Sequence, residues 1–299
     1  MSVTTGDSPA SREATLRRLE LLVMRKLDGM LQGDHQGLLP GAGAEPGEGR
    51  LYQPGDDVRR IDWNLTARSN APHVRDTVAD RELETWLVVD GSASLDFGTA
   101  NCEKRDLGLA AAAAFGFLTA RAGNRIGAVV FDGDGTTVRP PRPGRDAVLA
   151  LLHRLEQRPR ATEGTADLAV ALRRTRLAAR RRGLVVVVSD LLDGSDWSRE
   201  LRALSMRHDV VVAHVGDPRE RELPPVGLLM LVDPETGRTR EVQTASKKLR
   251  ERFATAAQTQ WETNARAVRV AGASHLALST DRDWVLDVVR FVAARKRRR

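Results

Sequence analysis

The chain has 299 residues, a length that predicts one large domain with an appendage, or two domains. A hydrophobic share of 41% and a charged share of 29% are those of a folded, water-soluble protein and exclude wholesale disorder. The formal net charge is +7, but only five of the 47 basic residues are lysines, and so strong an arginine bias follows genomic base composition as readily as it follows a polyanionic ligand.

The single cysteine, Cys102, rules out an internal disulfide and a multi-cysteine zinc site, and it fits a reducing compartment. The opening stretch MSVTTGDSPASREATLRRLE lacks the basic head and apolar core of a signal peptide. No apolar window reaches the roughly 20 residues of a bilayer span. The expected location is the cytoplasm.

In chain order, residues 12–32 place Leu16, Leu19, Leu22, Val23, Leu27 and Met30 at three- and four-residue steps, which predicts an amphipathic helix and makes 1–32 an N-terminal helical segment. Residues 33–50, GDHQGLLPGAGAEPGEGR, predict a loop. From 50 to 85, short alternating segments broken by turns such as Pro54-Gly55 predict a few strands, so that 33–84 forms a small β-rich subdomain. Within it, Arg59, Asp62, Trp63 and Arg68 are read as a buried Arg–Asp pair with the indole packed over it. A partner-docking surface is the alternative, since Trp and Arg are common anchor residues.

After residue 85 the pattern becomes strand–helix alternation. Strands are predicted at 85–90, 125–131, 184–189, 209–215 and 228–232 and near 275–278, with helices near 103–122, 144–157, 166–182, 196–206, 245–267 and 282–295. Runs such as LVVVVSD and VVVAHV are apolar at consecutive positions, as strands covered on both faces are. The predicted fold class is α/β, a doubly wound and mostly parallel sheet over 85–295, with 296–299 as a basic tail. The turn DPETG at 233–237 predicts a hairpin at the sheet edge, Asp132 and Asp134 read as turn residues, and Cys102 as a small residue at a helix start.

Ligands of such sheets collect beyond the carboxyl ends of the strands. Three predicted loops there carry oxygen. Asp90, Ser92 and Ser94 follow the first strand in VVDGSAS, Thr165 opens a helix in EGTADLAVAL, and Asp190 follows a buried strand in VVVVSD. An all-oxygen set with few charges suits a hard cation, Mg²⁺ or Mn²⁺, with a position left for an outside carboxylate. The structural alternative makes Asp90 and Ser92 turn caps, Thr165 a helix N-cap and Asp190 an acceptor of backbone amides.

A hydrolase reading fails on the turn, which is Asp-Gly-Ser-Ala-Ser where a nucleophile elbow needs G-x-S-x-G. None of His35, His73, His153, His208, His214 and His275 falls in a triad pattern. A phosphoacceptor reading of Asp90 lacks a second acid, because Ser92 stands two residues on.

VVDGSAS, GTADLAVAL and VVVVSDL together resemble the three-part metal-ion-dependent adhesion site of von Willebrand factor type A domains. With YQPGDDVRRIDWNLTARS and GNRIGAVVFD, residues 33–295 resemble more narrowly a bacterial family catalogued as domain of unknown function 58. The resemblance implies a von Willebrand factor A-like, Rossmann-like fold and a metal site at Asp90, Ser92, Ser94, Thr165 and Asp190. It further implies a non-enzymatic interaction module that partners a MoxR-type AAA+ ATPase or its client through an Asp or Glu offered to the metal. Many such proteins carry transmembrane helices, and this sequence has none. The alternative function is binding of nucleic acid or an anionic surface through the Arg-rich segments 173–182 and 295–299.

Overall fold

The computed structural model describes residues 46–296 apart from 54–55, 57, 59–60, 70, 78–82, 122 and 161–165. The predicted helix 12–32, Arg59 and Thr165 therefore lie outside the described residues, as does most of the basic tail.

Strand β1 (Pro46–Leu51) pairs antiparallel with β2 (His73–Thr77), and helix α1 (Trp63–Ser69) lies between them in sequence. Two expectations change here. The loop predicted through residue 50 is a strand from Pro46 onward. Part of the region predicted as strands is α1, a helix with no buried residue and so no apolar period to announce it. Trp63, expected to be packed inward, is 71% exposed at the start of α1. Asp62 caps that helix, its carboxylate accepting from the amides of Asn64 and Leu65 at 3.1 and 3.2 Å.

The remaining elements are β3 (Glu84–Asp90), α2 (Lys104–Arg121), β4 (Arg125–Asp132), β5 (Gly135–Pro143), α3 (Arg145–Glu156), α4 (Leu168–Ala178), β6 (Gly183–Ser189), α5 (Trp197–Ser205), β7 (Asp209–Gly216), β8 (Leu228–Val232), β9 (Thr239–Gln243), α6 (Lys247–Val270), β10 (Ser274–Ser279) and α7 (Trp284–Lys296). Six strands form one sheet in the order β10-β7-β6-β3-β4-β5. All neighbours run parallel except β5, which returns antiparallel along β4. This is the doubly wound order, with its switch point between β3 and β6.

The strands are apolar at consecutive positions because each feeds two cores. Leu87 and Val89 pack with Val186, Val188, Phe115, Leu152 and Val288 on the face covered by α2, α3 and α7. Trp86 and Val88 pack with Val185, Val187, Leu172, Leu201 and Val268 on the face covered by α4, α5 and α6. Helix α2 lies closely on the sheet because its centre is Ala110–Ala114, residues too small to hold it off.

The sequence did not predict β5. Its GTTVRPPRP carries three prolines that a central strand would exclude, but β5 is an edge strand, and Pro140 and Pro141 fall where its pairing with β4 shifts register, between Ile126 and Ala128. Asp132 and Asp134 do sit in the tight turn before it, the Asp134 amide donating to the Asp132 carboxylate at 3.0 Å. The predicted hairpin forms as β8 and β9, but as a separate two-stranded sheet and not on the edge of the large one. No helix among the described residues is long and apolar enough to cross a membrane.

Candidate metal centre

Register places the site. Val89 pairs with Val188, so the next residues along, Asp90 and Ser189, emerge side by side at the carboxyl ends of β3 and β6. The Ser189 hydroxyl donates to Asp90 Oδ2 at 2.6 Å, and the Ser92 amide donates to Asp90 Oδ1 at 2.8 Å, folding the loop into an Asx turn. That turn brings the Ser92 and Ser94 hydroxyls within 2.9 Å of each other, and Ser94 donates to Asp190 Oδ2 at 2.7 Å. Asp90, Ser92, Ser94 and Asp190 therefore converge in the switch-point crevice, all of them buried. Thr165, the fifth predicted ligand, lies outside the described residues.

The basic group here is one that sequence reasoning missed. Lys104, in the first turn of α2, is fully buried, and its Nζ lies 2.8 Å from Asp190 Oδ2. The same ammonium pairs with Glu220. Glu220 sits in a 3₁₀ turn, Pro218–Glu220, locked by a capping box in which the Asp217 amide donates to Glu220 at 2.9 Å and Asp217 accepts from the Arg219 amide at 2.8 Å. Asp217 also accepts from the hydroxyls of Thr99 and Thr280, both at 2.6 Å. A buried ammonium is costly unless paired, and this frame supplies both partners.

The charges are unevenly balanced. Burial works against ionisation of Asp190, but the Lys104 ammonium and the Ser94 hydroxyl outweigh it and hold the acid below the usual carboxylate range. Asp90 is pushed up to about 7 by burial and then by the nearby charge of Asp190, although Ser189 and Ser92 bond to it. Burial opposes the charge on Lys104, and its two acids more than restore it. Burial raises Glu220 despite Lys104. Asp190 and Glu220 thus share one ammonium, while Asp90 is held by the Ser189 hydroxyl and the Ser92 amide and forms no ion pair among the described residues.

Other parts brace Asp190. The His214 Nε2 lies 3.0 Å from the Asp190 carbonyl and must carry the hydrogen there, since a carbonyl only accepts. His214 stacks on Trp261 with ring centroids 3.6 Å apart, and its Nδ1 lies 3.1 Å from His275 Nε2. Leu191 follows in a left-handed conformation (φ 56°), with its carbonyl held by Asn264 Nδ2 at 2.9 Å. Glu235, at the tip of the β8–β9 turn, is partly covered while its neighbours are exposed, and burial and then the charge of Asp190 raise it.

This donor set fits a hard divalent cation. Two carboxylates and two hydroxyls converge, and among the described residues Asp90 forms no ion pair of its own, since the Arg158 guanidinium, which lies over Gly91 and feels the charge of Asp90, is paired with Asp132 at 3.7 Å. No group of three or more His, Cys, Asp or Glu side chains that could hold a metal occurs among the described residues, so a cation here would depend on the serine hydroxyls as well.

The class defined so far is a doubly wound α/β protein with an acid-and-hydroxyl cage at its switch point. The chain belongs to the family described as protein of unknown function DUF58, whose model matches residues 48–263. It is 55% identical over 285 residues to the uncharacterized protein Rv1480 of Mycobacterium tuberculosis strain H37Rv, covering 95% of this chain and 90% of that one. Among solved structures it is similar to an aerotolerance-related membrane protein from Bacteroides fragilis, at 14% identity and a TM-score of 0.45, covering 73% of this chain and 100% of that chain. It is also similar to the SpRpn10 VWA domain, at 11% identity and a TM-score of 0.40, covering 69% and 93%.

Proposed function

We propose that the protein is a cytoplasmic, non-enzymatic interaction module whose partner binding depends on a divalent cation, Mg²⁺ or Mn²⁺, held by Asp90, Ser92, Ser94, Asp190 and Thr165. The cation would supply one thing, an electrophilic position for a carboxylate from the partner. The chain's own residues do the rest. Ser189 and the Ser92 amide fix the Asp90 carboxylate, Ser94 ties the first loop to Asp190, and His214 and Asn264 brace the backbone on either side of the Asp190–Leu191 bond. The observation that carries this reading is the convergence of two carboxylates and two hydroxyls at the switch point, with more negative charge than Lys104 offsets.

The partner we propose is a MoxR-type AAA+ ATPase or its client, as the family resemblance implies. Arg173 and Arg176 both face Glu200 at 3.5 and 3.9 Å, which supports reading this part of the Arg-rich helix as a solvated, paired face. The test is binding of this protein to the purified MoxR-type ATPase of the same genome, measured by calorimetry with Mg²⁺ and again with EDTA. Binding in Mg²⁺ that EDTA abolishes is the expected result. Binding that survives EDTA overturns the cation dependence, and no binding in either buffer overturns the partner.

A further inference from the structure

Lys104 is the least expected residue in the site. It occupies the first turn of a helix whose buried side otherwise carries no charge, and it has no exposed surface. Its ammonium is not a loose counter-ion. Asp190 Oδ2 holds it on one side, and that same oxygen accepts from Ser94. Glu220 holds it on the other, anchored by the Asp217 capping box, which is tied in turn to Thr99 and Thr280. These contacts join the start of α2 to the loops after β6, β7 and β10. The charge is therefore a fixed part of the wall of the cage.

We infer that Lys104 sets both how tightly the site holds a divalent cation and how much charge that cation keeps for an incoming carboxylate. The inference rests on the cation reading above. A cation at Asp90, Ser92 and Ser94 would face two buried carboxylates and the partly exposed Glu220, with the ammonium paired to Asp190 at 2.8 Å and also to Glu220. Like charges a few ångströms apart in a dry site repel strongly, so the ammonium weakens cation binding. By the same balance it stops the acids from neutralising a bound cation completely, and the positive charge left over is what an external carboxylate would bind. Glu220 works in the opposite direction, because it draws off part of the ammonium's charge.

Two substitutions of opposite sign test this. Lys104→Met keeps the length and apolar stem of the side chain and removes its charge. Glu220→Gln keeps the shape and leaves the ammonium with Asp190 alone. Calorimetric titration with Mn²⁺ should show the Lys104→Met protein binding at least about tenfold more tightly than wild type, and the Glu220→Gln protein roughly fivefold more weakly. Glutarate, as a carboxylate probe, should bind Mn²⁺-saturated wild type and bind the Mn²⁺-saturated Lys104→Met protein several-fold more weakly. Equal or weaker Mn²⁺ binding by folded Lys104→Met, while wild type binds Mn²⁺, overturns the role of Lys104 and leaves the cation site standing. If Lys104→Met does not fold, Glu220→Gln decides alone, and equal or tighter Mn²⁺ binding overturns the inference. No Mn²⁺ binding by wild type or either variant overturns the cation reading and this inference with it.

Discussion

His214 gives a prediction whose size can be worked from the structure. The imidazole is 1% exposed, stacked on Trp261, bonded to the Asp190 carbonyl and next to His275. Burial, and then His275, push its pKa down to about 3 from 6.5. The folded protein therefore keeps His214 neutral where the unfolded chain would protonate it, so the unfolded state binds more protons between those values. Stability from this group is fully present above about pH 6.5 and is lost as the pH falls toward 3. At pH 5 the unfolded chain gains about 1.5 pH units' worth of protonation, a loss of about 2 kcal/mol relative to neutral pH. His275, lowered to about 4, adds a loss of the same sign, while Asp90, raised to about 7, works in the opposite direction. Urea unfolding of wild type and His214→Gln at pH 7 and pH 5 isolates the one group, because the other contributions are common to both proteins. The variant should lose about 2 kcal/mol less than wild type over that interval. Equal losses would refute the assignment of His214 as a buried neutral brace.

Three further outcomes follow from the same geometry. Asp90→Asn removes a carboxylate whose charge burial and Asp190 disfavour, so it should raise the melting temperature in EDTA while abolishing any Mg²⁺-dependent rise; scanning calorimetry in both buffers checks this. Gly183→Ala would drive a Cβ onto the Glu84 carbonyl oxygen, where β6 and β3 approach each other, and should cost about 3 kcal/mol or more, read as a lower urea midpoint. Asn264→Ala should cost about 1–3 kcal/mol, because it leaves the buried carbonyl of left-handed Leu191 without its donor; the urea midpoint again reports it, and an unchanged midpoint would show that the bond is idle.

What could be read from the sequence followed from what each element buries. The β3, β6 and β7 strands were legible because covering on both faces makes them apolar without interruption, and α2 because an alanine run sits at the centre of a long apolar helix. Strand β5 was hidden by Pro140, Pro141 and Pro143, whose cost vanishes only at an edge, and edge position is a property of the assembled sheet. Helix α1 buries nothing, so it left no period to find.

The site divides in the same way. Asp90, Ser92, Ser94 and Asp190 end apolar runs and could be picked out locally. The partners of Lys104 stand 86 and 116 residues away in sequence, and no spacing rule reaches that far. One signal was present. In a chain that uses arginine for almost every positive charge, a lysine opening an Ala-rich buried helix is out of pattern, and a compact ammonium fits between two acids where a guanidinium fork would not.

The most direct measurement of the central claim is the free Mn²⁺ resonance signal in solutions of the purified protein. Wild type should remove one Mn²⁺ per chain from the free pool, Mg²⁺ should return it, and Asp90→Ala should remove none. A free signal that wild type leaves undiminished, or that Asp90→Ala diminishes equally, would contradict a cation site built on Asp90.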